Sequence, residues 1–263
     1  YWDEENTPRP EGYIQDLEIF HNAKGNTDQL YRNIRAACES GWDFSSRWFA
    51  NPNDVTTIKT IDLIPVDLNC LLYNLENTIA QAYKVEGKEN ECEYFIQLAN
   101  KRAKAIDHYL WNDEECCFYD YDFMQNTLSK VLSMATAFPL FFNLCNAEKA
   151  ELVLKRIEKD LLKVGGLLTT INTTSQQWDA PNGWAPLQWI GYKAAQNYGA
   201  KDLAFTIGAN WTKNVERVFN TTGKMMEKYN VIDITLAAGG GEYPNQDGFG
   251  WTNGCYLKLK ELI

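Results

Sequence analysis

An all-α architecture of antiparallel helix pairs, with the distinctive residues in their links, is what this 263-residue sequence predicts. Three observations predict it. Apolar residues recur at three- and four-residue spacing along most of the chain, successive helical stretches are joined by a few residues, and the motifs rich in Trp, Gly and Pro fall between those stretches. Such an array carries its function on loops gathered at one end.

Residues 1–16 contain Pro8, Pro10 and Gly12, so PRPEGY is expected to be an extended or turning segment displaying Arg9 and Glu11. Residues 28–39 place Leu30, Ile34, Ala37 and Cys38 on one helical stripe that delivers the chain to Gly41 and Asp43. After a polar connection over 51–60, Pro65 and the candidate N-cap Asp67 open a helix over 67–85. A second long helix spans 89–111, with Tyr94, Leu98, Ile106 and Tyr109 at core-like spacing. The acidic, aromatic link WNDEECCFYDYDF lacks the alternating register of a calcium loop and reads as a solvated connection or a short hairpin. Helices over 128–143 and 147–162 follow, the second ended by Gly165 and Gly166. Helical spacing resumes over 187–198 and 200–219, with a short helix over 225–229 and a last one over 251–263. No fixed-period repeat is visible.

The formal charge of -10 argues against a nucleic-acid or anionic-membrane surface, which needs clustered Lys and Arg. A small neutral ligand fits better. Nine Trp, fourteen Tyr and twelve Phe supply flat apolar faces with single polar handles, the surfaces that stack on sugar rings. The longest apolar run, about 131–144, is broken by Ser133, Thr136 and Pro139 and is shorter than the ~20 residues of a spanning helix, so no membrane segment is expected. Seven cysteines without a C-x-x-C pair read as reduced thiols, and on that ground a cytoplasmic location is expected over a periplasmic one.

There is no G-x-S-x-G, Walker or H-E-x-x-H sequence, and only His21 and His108 exist, so chemistry falls to carboxylates. The stretch ESGWDFSSRW sets Asp43 between Trp42 and Phe44, with Trp48 beyond. Desolvation there disfavours the charged carboxylate and raises its pKa, as a general acid requires. The alternative is a helix cap, with Ser45 and Ser46 as competing caps, and on local sequence the two readings stand level. A second carboxylate, Glu242, follows Gly239, Gly240 and Gly241, a run that suits close backbone approach to a ligand or, alternatively, a hinge. In QQWDAPNGWAP, Gln177 and Asp179 offer hydrogen bonds while Trp178 and Trp184 offer faces, which describes a sugar pocket or, alternatively, a core with satisfied indoles. Trp251, where the glycine-rich loop turns into the last helix, is counted among the sugar contacts.

PRPEGY, ESGWDFSSRW, IPVDLN, QQWDAPNGWAP and GGGEYPNQDGFGWTNG, in this order and at these spacings, resemble the C-terminal half of the trehalase family of inverting glycoside hydrolases. QWDAPNGWAP matches one of that family's two signature patterns. The resemblance implies a single (α/α)6 toroid domain across 1–263 that hydrolyses α,α-trehalose to two glucose molecules, and nothing in the sequence suggests a metal or organic cofactor. It implies that Asp43 is the general acid and Glu242 the general base. Arg9, Pro10 and Glu11 then match the substrate-binding PRPE motif, and Gly41 the glycine ahead of the acid. The other signature, P-G-G-R-F-x-E-x-Y-x-W-D-x-Y, and the R-S-Q-P-P motif belong to the N-terminal half and do not occur here. About nine or ten helices can be read where a toroid needs twelve, so an incomplete ring is expected, with the N-terminal half as a possible partner. Two alternatives stand beside hydrolysis of trehalose: an inactive or sugar-binding fragment, and a related toroid hydrolase of another neutral glucoside.

Overall fold

The computed structural model describes residues 1–25 and 27–263, and the ordered chain is mostly helical. Its helices are α1 (Tyr13–Asn22), α2 (Leu30–Glu39), α3 (Val66–Val85), α4 (Glu89–Tyr109), the single turn α5 (Phe138–Phe141), α6 (Ala147–Arg156), α7 (Ala185–Asn197), α8 (Lys201–Thr222) and α9 (Gly250–Leu262). Short links make antiparallel neighbours of α3 with α4 and of α7 with α8, as the spacing predicts. Arg102 on α4 ties the first pair by reaching Glu76 at 2.7 Å and Asn69 at 3.0 Å on α3. The core runs through the whole chain and is centred on large buried side chains, Trp48, Trp184, Trp211, Tyr192 and Tyr229 among them. No helix among the described residues is long and apolar enough to cross a membrane.

Four elements differ from expectation. The N-terminal loop gives way to helix at Tyr13, because Pro10 is the last residue that forbids one, and the Asp16 N–H bonds the Gly12 carbonyl at 2.9 Å. Helix α3 starts at Val66 behind Pro65, so Asp67 lies inside the first turn and turns its carboxylate to Arg47 instead of capping. The helix expected over 128–143 is instead Thr127–Leu128 in a small sheet, a 3-10 turn at Met134–Ala137 capped by Ser133, and α5. Pro139 can occupy only a first turn, so helix cannot run into it from residue 128. Finally, the short helix expected over 225–229 is a strand, Lys228–Asn230, paired antiparallel with Asn182–Trp184. Five residues are too few to nucleate a helix against a ready partner strand. The acidic link takes the hairpin form, with Trp111–Asn112 paired to Cys117–Phe118.

Candidate active site

Helix α2 ends at Glu39, capped by Ser40, and the chain turns into Asp43 at Gly41, whose φ of +74° is open to glycine at little cost. Ser45 caps the following 3-10 turn by accepting the Arg47 N–H at 3.1 Å, so the cap belongs to Ser45 and the Asp43 carboxyl is left free of that role. Beneath the loop lies a fully buried Arg47, its guanidinium held by Asp67 at 2.8 Å and Asp120 at 2.7 Å and set 4.4 and 4.3 Å from the Trp42 and Trp48 rings. The Trp48 indole N–H donates to the Trp42 carbonyl at 3.1 Å. Asp43 therefore projects from a loop anchored on both sides.

The second wall comes from residues 170–184. Asp179, 0% exposed, accepts from Ser45 Oγ at 2.8 Å, Ser46 N at 2.9 Å, Thr170 Oγ1 at 2.8 Å and Thr174 Oγ1 at 2.6 Å. Expected as a sugar contact, it instead bolts the two motifs together, and its lone pairs are taken. Trp178 donates its N–H to the Phe44 carbonyl at 3.1 Å and stacks between Trp42, at 5.4 Å, and Trp184, at 3.9 Å and nearly parallel. Trp184 donates its indole N–H to the Gln177 carbonyl at 3.0 Å. Both indoles are buried with their faces covered by one another, so they form wall rather than open platform. Trp251 stands edge-on to them and is partly exposed. Gln177 does reach the Asp43 loop: its Nε2 donates to the Asp43 carbonyl at 2.5 Å.

Glu242 arrives on the glycine-rich loop. That loop packs on protein: Gly241 N donates to the Ser175 carbonyl at 2.9 Å, and a Cβ on Gly241, at φ +85°, would stand 2.8 Å from Gln177 Oε1. Arg9 closes the site from the other side. Buried at 4% exposure, it forks onto Asp16 at 2.6 Å and reaches Glu242 at 2.9 Å, with the Glu242 side chain 28% exposed. Pro10 and Glu11, expected beside it, are exposed. A cavity of about 300 Å³ opens here, lined by Phe44, Ser175, Gln176, Gly241 and Glu242 and by Gln15, Glu18 and Ile19 of α1.

Burial pushes the Asp43 carboxyl up to about 6, with Arg9 opposing the shift and Glu242 and Glu227 adding to it. Burial likewise pushes the Cys38 thiol, which accepts from Arg9 Nη1 at 3.3 Å, up to about 12. Asp16, Arg47, Glu227, Lys228 and Tyr243 also belong to the site or its support and were not among the residues expected there. Arg47 and Tyr243 lie inside the motifs quoted above, and Glu227 and Lys228 are a charged pair set between Met226 and Tyr229, whereas Asp16 carries no such signal.

A family model described as trehalase matches residues 1–263. The chain belongs to the trehalase family. Among trehalase relatives, the periplasmic trehalases of Salmonella dublin and Salmonella enteritidis are each 45% identical over 264 residues, covering 100% of this chain and 46% of theirs. The chain thus spans about half the length of the curated trehalases it matches. In structure it is similar to the neutral trehalase of Saccharomyces cerevisiae, at 25% identity and a TM-score of 0.75 over 90% of this chain and 43% of that one. A mannosylglycerate hydrolase of Thermus thermophilus shares the fold at 17% identity and a TM-score of 0.61, over 100% of this chain and 56% of that one. The periplasmic names of the relatives overturn the cytoplasmic location expected from cysteine usage. All seven cysteines are free thiols, and three of them, Cys70, Cys92 and Cys117, are buried as small apolar side chains, a use of cysteine that does not depend on the compartment.

Proposed function

We propose that this chain supplies the two reacting carboxylates of a periplasmic α,α-trehalase and forms the C-terminal part of a single (α/α)6 toroid domain. The observation that carries the reading is a pair of contrasting environments: Asp43 is half-buried and pushed up to about 6, while Glu242 faces the Arg9 guanidinium at 2.9 Å. Protonated Asp43 gives its proton to the glycosidic oxygen as the bond to the anomeric carbon breaks. A water attacks that carbon from the opposite face and passes its proton to Glu242, releasing two glucose molecules with inversion. Such pairs stand about 6.5–9.5 Å apart to admit the water. The 45% identity to trehalases across the whole chain supports trehalose as substrate.

In the trehalose-hydrolysing protein, Asp43→Asn and Glu242→Gln should each lower turnover by at least about a thousandfold with far-UV circular dichroism unchanged. Near-normal turnover in either variant overturns the assignment. One observation favours a second reading, a chain that binds sugar without hydrolysing it: relatives are about twice as long. Trehalose hydrolysis by the isolated 263-residue chain would reject that reading.

A further inference from the structure

Four side chains behind the site have no part in the reaction as written, and they close into a ring. Lys228 Nζ donates to Glu227 Oε2 at 2.7 Å and to Gln177 Oε1 at 3.0 Å. The Tyr243 hydroxyl donates to Glu227 Oε1 at 3.0 Å and accepts from Gln177 Nε2 at 3.2 Å. Every polarity around the ring is consistent. An ammonium only donates, so it takes the amide oxygen of Gln177 and leaves Nε2 to face the two acceptors, Tyr243 and the Asp43 carbonyl. Lys228 is fully buried, 5.3 Å from the Trp184 ring and 5.1 Å from the Tyr243 ring, and its backbone is fixed by pairing with Trp184.

The ring touches both reacting segments. Gln177 holds the Asp43 backbone, and Tyr243 is the chain neighbour of Glu242. We propose that Lys228 is a positioning residue, fixing Asp43 relative to Glu242 by orienting the Gln177 amide and by cancelling the buried charge of Glu227. The proposal rests on Asp43 being the acid of the reading above.

The groups that bear on the Asp43 charge are Arg9, Glu242, Glu227, Cys38 and Tyr243. Burial pushes Cys38 and Tyr243 up to about 12, so both stay neutral where Asp43 titrates. Arg9 stays charged. Without Lys228, the two buried carboxyl groups of Glu227 and Asp43 share the site with one cation fewer, which disfavours ionising both and so raises the Asp43 midpoint.

The test reads the Asp43 titration midpoint by carboxyl carbon-13 NMR, with the resonance assigned by its loss in Asp43→Asn. Lys228→Met should raise the midpoint by about 1 pH unit or more. Lys228→Arg, which keeps the charge, should leave it near wild type, and Glu227→Gln/Lys228→Met should bring it back down. A Lys228→Met midpoint equal to wild type, or a double variant as high as the single one, overturns the proposal. Should Lys228→Met fail to fold, Glu227→Gln decides: a lowered midpoint supports the proposal and an unchanged or raised one rejects it. Trehalose hydrolysis by the wild-type protein is a separate measurement, so failure of the functional reading and failure of the ring are told apart.

Discussion

Asp43 is more easily protonated in the folded protein than in the unfolded chain, because burial raises it from 3.8 to about 6. Two consequences follow for pH. If protonated Asp43 is the acid, kcat/KM for trehalose should fall as pH rises through about 6, and Asp43→Glu should move that limb. A raised carboxyl also favours folding while it is protonated: its contribution is full below the unfolded value near 3.8 and is lost as pH rises through about 6. Urea unfolding of wild type and Asp43→Asn, compared at pH 4 and pH 8, should therefore show the variant gaining stability relative to wild type at the higher pH. Arg9 is a second residue whose environment fixes an outcome. Arg9→Met would strand Asp16, which is fully buried, and should destabilise the fold by about 3–5 kcal/mol in urea titrations, with Glu242 losing its partner as well.

The site is assembled from loops, and what holds those loops divides into parts that local pattern shows and parts it does not. Helices α2, α3, α4, α7, α8 and α9 were legible because an apolar stripe at helical period is written into consecutive residues. The strand at Lys228–Asn230 was not, since its partner lies more than forty residues away and no local signal announces the pairing. The same division runs through the site. Arg9, Asp43 and Glu242 sit in recognisable motifs and lie close enough for their charges to interact, whereas the polar ring from Gln177 to Tyr243 depends, besides the neighbours Glu227 and Lys228, on three contacts between residues distant in sequence. Asp179 was legible as important but not in role, because a carboxylate surrounded by four donors looks in sequence like any Asp beside a Trp. Asp179→Ala should leave those donors unsatisfied and cost about 3 kcal/mol or more of stability, read by thermal or urea unfolding. Gly241→Ala should lower activity more than stability. The added methyl meets Gln177 Oε1 at 2.8 Å in a backbone conformation that L residues avoid, and the loop it displaces carries Glu242.

At the scale of the molecule, the chain buries a continuous core yet leaves apolar side chains on helix faces exposed: Leu71 and Leu75 on α3, Leu257 and Leu262 on α9. Contiguous apolar patches, unlike scattered apolar side chains, mark surfaces that partner with other protein. If the complementary half seen in relatives covers them, the isolated chain should bind a hydrophobic dye and hydrolyse trehalose poorly. Co-expression with that half should suppress the dye signal and restore hydrolysis; equal activity with and without it would reject the partnership. The indoles behind Asp43 add an optical consequence. Trp42, Trp178 and Trp184 form a continuous stack with Trp251 edge-on to it, close enough for their electronic transitions to couple and give an exciton signal in the near-ultraviolet dichroism. Because Trp42 belongs to the Asp43 loop, Trp178 and Trp184 to its opposing wall and Trp251 to the start of α9, the protein carries a label-free gauge of how that loop is seated, readable as sugar is titrated in.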